Sequence, residues 1–82
     1  MTLFVDTSAW IALLVPRDRH HSKAQRVFQN VLKQNTLVVT SNYIIDETVT
    51  WLRYHDSHDS AVNFRNIIME AREANRFTSF SY

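Results

Sequence analysis

The sequence predicts an α/β domain of three layers, α/β/α, in which helices cover a short parallel sheet in the order β-α-α-β-α-α-β. Two observations carry this. Residues 2–6 and 36–39 are short apolar or β-branched runs rather than alternating ones, which is how strands of a buried parallel sheet read. The segments between the strands carry apolar residues at helical spacing, and strands joined through helices form right-handed crossovers. With no repeat, low-complexity stretch or internal linker, residues 1–82 make one domain.

The first strand ends in an acid and passes directly into a helix. Leu3, Phe4 and Val5 are followed by Asp6, then by Thr7 and Ser8, and Ser8 is a natural N-cap for the apolar run Ala9 to Val15. Pro16 disfavours helix at Val15 and should stop the element there. A polar link from Arg17 to His21 leads to a second helix, in which Ala24, Val27, Phe28, Val31 and Leu32 form one apolar stripe against Lys23, Arg26, Gln29, Asn30 and Lys33. Gln34 and Asn35 then supply a turn before the second strand.

Thr40, Ser41 and Asn42 are all N-cap types ahead of a third helix carrying Ile44, Ile45, Thr48, Val49 and Leu52. After a polar turn from Arg53 to His58, Asp59 opens a fourth helix whose buried stripe is Ala61, Phe64, Ile67, Ile68 and Ala71. The polar segment Arg72 to Arg76 ends it. Residues 77–82, rich in aromatic and hydroxyl side chains, read as a third strand.

Composition excludes several classes of function. The chain has no glycine, so the Gly-rich phosphate cradles of P-loop and dinucleotide folds are absent, and ATP and NAD are not expected. Without cysteine there is no disulfide, thiolate metal site or thiol nucleophile. No apolar run approaches the roughly 18 residues of a spanning helix, and no signal sequence precedes the first strand, so a cytoplasmic protein away from the membrane is expected. A net charge of +1 neither supports nor opposes a nucleic-acid partner.

The candidate chemistry centres on Asp6 and Glu47. One acid lies at the carboxyl end of a strand, where open α/β sheets place their ligands, and the other lies in the helix after the next strand, so a parallel sheet brings them towards one edge. Two converging carboxylates need a cation or a proton between them, and hard oxygen donors without sulfur suit Mg²⁺ or Mn²⁺. On spacing alone, a turn-starting Asp6 and a solvated Glu47 fit equally well. Asp46, Asp56, Asp59, Glu70 and Glu73 read as solvated or helix-dipole residues, and the four histidines as solvated loop residues, since no two share a helical face at metal-binding spacing. Trp10 and Trp51 are expected in the core.

These residues resemble the PIN domain family, and within it the VapC-type toxin ribonucleases. Leu3 to Leu14 looks like the family's opening strand, acid, hydroxyl pair and first helix. Asp18 to Ala24, including His21, is similar to the start of its second helix, and Thr40 to Leu52 resembles its strand-end threonine and glutamate-bearing helix. The resemblance covers essentially the whole chain and corresponds to the N-terminal half of the family's domain. It implies a metal-dependent endoribonuclease in which Asp6 and Glu47 are catalytic metal ligands for Mg²⁺ or Mn²⁺. Ser8, and after it Thr7, would orient a ligand or water from the helix terminus. It also implies an RNA substrate, an antitoxin-like protein partner and a central first strand. The family's further acids, which belong to its second half, have no match here, so a non-catalytic remnant that binds RNA or protein stands as the alternative. An open strand edge and a thin core predict a homodimer or higher assembly.

Overall fold

The computed structural model describes residues 2–34 and 36–73, together with the backbone of 77–80. Its elements are β1 (Thr2–Phe4), α1 (Thr7–Leu14), α2 (His21–Lys33), β2 (Leu37–Ser41), α3 (Asn42–His55), α4 (His58–Glu73) and β3 (Phe77–Phe80). The expected α/β order is present. Asn35, the segment 74–76 and the last two residues of the expected third strand lie outside the described residues.

The sheet is parallel in the order β1-β2-β3. Phe4 pairs in register with Val39, and Val38 with Phe77. Among the described residues β1 is thus an edge strand rather than the central one, because no described strand lies beyond it. Both crossovers step in the same direction, and right-handed crossovers then place both helix pairs on one face.

The core agrees with that geometry. One apolar cluster joins Val5 and Val38 of the sheet segment to Trp10 of α1, Val31 of α2, Ile44 and Leu52 of α3, and Ala61, Phe64 and Ile68 of α4. The Trp10 ring, fully buried as expected, meets Phe64 edge-on at 5.3 Å and Phe28 at 6.2 Å. Strand residues alternate across the sheet, so Phe4 and Leu37 point away from this cluster; Phe4 is 51% exposed. The described helices therefore form one layer on the sheet. The second helical layer of the α/β/α arrangement is not among the described residues.

Local chemistry sets the boundaries. Pro16 holds Val15 extended at φ −105 and ψ 108, and α1 stops at Leu14 as expected. Ser41 rather than Thr40 caps α3, its hydroxyl accepting from the Ile44 amide at 3.1 Å. At α4 the Ser57 hydroxyl accepts from the Ser60 amide at 3.0 Å, so the helix begins at His58 and Asp59 falls in its first turn. Three predicted stripe residues are exposed: Val27 beside β1, Leu32 near the end of α2, and Ile67 on α4. Val27 lines a groove of about 290 Å³ with Leu3, Val5, Leu13 and Phe28, on the side where β1 has no described neighbour.

Candidate active site

Asp6 leaves β1 in an extended conformation, φ −94 and ψ 179, and its Oδ1 accepts from the Ala9 amide at 3.0 Å. The acid itself is the N-cap of α1, a correction to the expectation that Ser8 fills that place. Its backbone is the last extended one before the helix, and a carboxylate there also meets the positive end of the helix dipole. Ser8 becomes the second residue of α1 and is exposed.

Capping by Asp6 starts the helix at Thr7 and turns that side chain towards α3. The Thr7 hydroxyl donates to Glu47 Oε1. The Tyr43 hydroxyl, one turn before Glu47, reaches Oε2 at a long 3.5 Å. The structure therefore joins Glu47 to the residue directly after Asp6, across 40 positions of sequence. Asp6 and Glu47 are both exposed and accessible to a substrate.

Thr40 lies beneath the site and is nearly inaccessible to solvent. It is neither a cap nor an exposed group. Its hydroxyl donates to the Val5 carbonyl at 3.1 Å and accepts from the Trp10 indole at 3.4 Å, fixing the end of β1, and so Asp6, against β2 and α1. Sequence placed Thr40 at the strand end but gave no sign of its two partners.

The histidines do not all behave as solvated loop residues. His21 opens α2, and its Nδ1 lies 2.8 Å from the Ala12 carbonyl, tying α2 to α1. His55 stacks on the half-buried Trp51, with centroids 4.7 Å apart and planes 14° from parallel. Asp56, expected to serve a helix dipole, instead takes Arg17 Nη1 at 2.5 Å. That guanidinium, with help from the Ser60 side chain, holds the Asp56 carboxyl below its ordinary range.

The donor set at the Asp6–Glu47 edge fits a small hard cation. It offers carboxylate and hydroxyl oxygens, and Mg²⁺ is commonly held by one or two carboxylates with water and substrate phosphate completing its shell. Among the described residues no group of three or more His, Cys, Asp or Glu side chains is arranged to hold a metal.

No family model matches the chain. The 23S rRNA-specific endonuclease VapC20 of Mycobacterium tuberculosis, in two strains, is 38% identical over 60 residues, a span of 73% of this chain and 44% of that protein. The crystal structure of Mycobacterium tuberculosis VapC20, a Sarcin-Ricin loop cleaving toxin, matches the fold with a TM-score of 0.78 at 30% identity, covering 96% of this chain and 55% of that one. The chain spans about half the length of the relatives it matches.

Proposed function

We propose that this chain, related in sequence and fold to the PIN-domain toxin ribonucleases of the VapC type, contributes the Asp6–Glu47 portion of a metal-dependent endoribonuclease site. The observation that carries the reading is the Thr7–Glu47 hydrogen bond, which brings the helix that Asp6 caps to the acid of α3. Asp6 and Glu47 would hold Mg²⁺ or Mn²⁺. Bound there, the ion would activate water and neutralise charge on a phosphodiester. The chain's own groups act around that centre. Asp6 keeps Oδ1 on the Ala9 amide, which would leave Oδ2 to the ion, Thr7 holds Glu47 through Oε1, and Ser8 carries its hydroxyl at the amino end of α1, where backbone N–H groups favour a phosphate.

The proposed RNA substrate argues for a cytoplasmic site of action; among the described residues no helix is long and apolar enough to cross a membrane. Kinship with a toxin argues for an antitoxin-type protein partner. The β1 edge, which has no described neighbour, and the exposure of Phe4 and Leu37 argue for a homodimer or higher assembly.

RNA cleavage with Mg²⁺ or Mn²⁺ is the direct test. Cleavage should stop with chelator and fall on the order of a hundredfold or more in Asp6→Asn or Glu47→Gln. Cleavage that survives chelator or both substitutions refutes the assignment. The second reading, a non-catalytic module that binds RNA or protein, is favoured by the limited acidic set among the described residues. Calorimetric titration with Mn²⁺ separates the two. Submillimolar binding that needs both Asp6 and Glu47 supports the nuclease; RNA or protein binding without such a metal site supports the module.

A further inference from the structure

The outward face of α3 carries a concentration of exposed rings that the acid pair does not account for. At about 100° per residue, Tyr43, Glu47, Thr50 and Tyr54 fall within about 60° of one another around the helix. Trp51 and His55 flank them, and together with Asp46 these residues line a shallow groove of about 400 Å³. Tyr43 is 60% exposed and Tyr54 79%. The nearly parallel Trp51 and His55 rings show that this surface already holds flat groups face to face, and the His55 Nδ1 contact to the Trp51 carbonyl at 3.1 Å fixes the imidazole in that position.

Three features indicate what docks there. The rings are Tyr, Trp and His, which pair a π-face with a polar edge, as base stacking requires. Glu47 belongs to the same groove, so a strand lying along it runs directly into the acid pair. Across Asp46 and Thr50 a second groove carries Arg65, and Arg72 held by a hydrogen bond to Asn42 Oδ1 at 3.2 Å, so positive charge lies beside the aromatic face where phosphates of a stacked strand can lie. From Tyr43 to Tyr54 the helix rises about 16 Å, enough for more than one base.

We propose that the α3 face from Tyr43 to Tyr54 is a base-stacking subsite for single-stranded RNA that leads a strand to the Asp6–Glu47 pair. The inference rests on the ribonuclease reading and names how its substrate is held. Because the subsite is built from rings, it favours unpaired over duplex RNA and tolerates changes of sequence.

Binding measured in chelator isolates the subsite from metal chemistry. Fluorescence anisotropy with an end-labelled single-stranded RNA, and with the same sequence as a duplex, should show preference for the single strand. Tyr43→Ala and Tyr54→Ala should each weaken single-strand binding about 5- to 50-fold, whereas Tyr54→Phe keeps it within about twofold because the ring is retained. Single-stranded RNA should also quench tryptophan emission through the half-exposed Trp51, and Tyr54→Ala should reduce that quenching at a fixed RNA concentration. Unchanged affinity in both alanine variants, or equal affinity for duplex, overturns the proposal. So does light scattering in which Tyr54→Ala dissociates a dimer, since the face then belongs to a second copy. Asp6→Asn, which lies outside the groove, removes cleavage but should leave this binding in place, so the nuclease reading and the subsite fail independently.

Discussion

At the scale of single residues, two threonines show how hydroxyl position decides role. Thr7 reaches Glu47 from the first turn of α1, while Thr40 is sealed between Val5 and Trp10. Replacing Thr40 by Val keeps the shape but leaves the Val5 carbonyl and the Trp10 indole without this partner in a dry site. Thr40→Val should therefore cost about 1–3 kcal/mol, read as a lower urea midpoint, with the emission of Trp10 altered in the native state. Asp6 and Glu47 were legible in the sequence because each follows a recognisable signal: an acid closing an apolar run, and an acid within the helix after the next strand. Thr7 ranked behind Ser8 for a physical reason. Adjacent helix positions differ by about 100° in direction, and which of them faces α3 depends on the helix starting at Thr7, which the cap at Asp6 decides.

At the scale of elements, the link between α1 and α2 is fastened to the junction of α3 and α4. Arg17 donates to Asp56 at 2.5 Å and to the His55 carbonyl at 2.6 Å, placing a cation on the carboxyl end of α3, where the dipole favours it. Asp56 has its pKa depressed in the folded chain, chiefly by Arg17 and then by Ser60. Its contribution is therefore present above the unfolded carboxyl pKa and is lost as pH falls through the folded one. Urea midpoints should fall on acidification below about pH 4, and less steeply in Asp56→Asn. Because Arg17 is largely exposed, added salt should shrink the difference between the two proteins. Element order and the end of α1 could be read from apolar spacing and Pro16. The outward turn of Val27 and Ile67 could not, since periodicity identifies an apolar stripe without saying how much of it a neighbour covers.

At the scale of the molecule, the described helices share one side of the sheet. The radius of gyration of 12.1 Å is close to the roughly 11.7 Å expected for a folded chain of this length. Compactness thus coexists with a sheet that has no described helix on its far face and no described strand beyond β1. Exposed Phe4 and Leu37 beside a β1 edge with no described neighbour support the proposed assembly: light scattering should report a dimer or larger species at micromolar concentration, and Phe4→Lys should shift it towards monomer. A stable wild-type monomer at that concentration refutes the assembly. The parallel ladder also sets an order of amide exchange. β2 is hydrogen-bonded on both sides, whereas β1 has one described neighbour. In a solution of monomers, deuterium should enter the sheet first at the outward amides of β1 and last at Val38 to Thr40, so the slowest-exchanging segment is the one that delivers α3, and Glu47 with it, to the site.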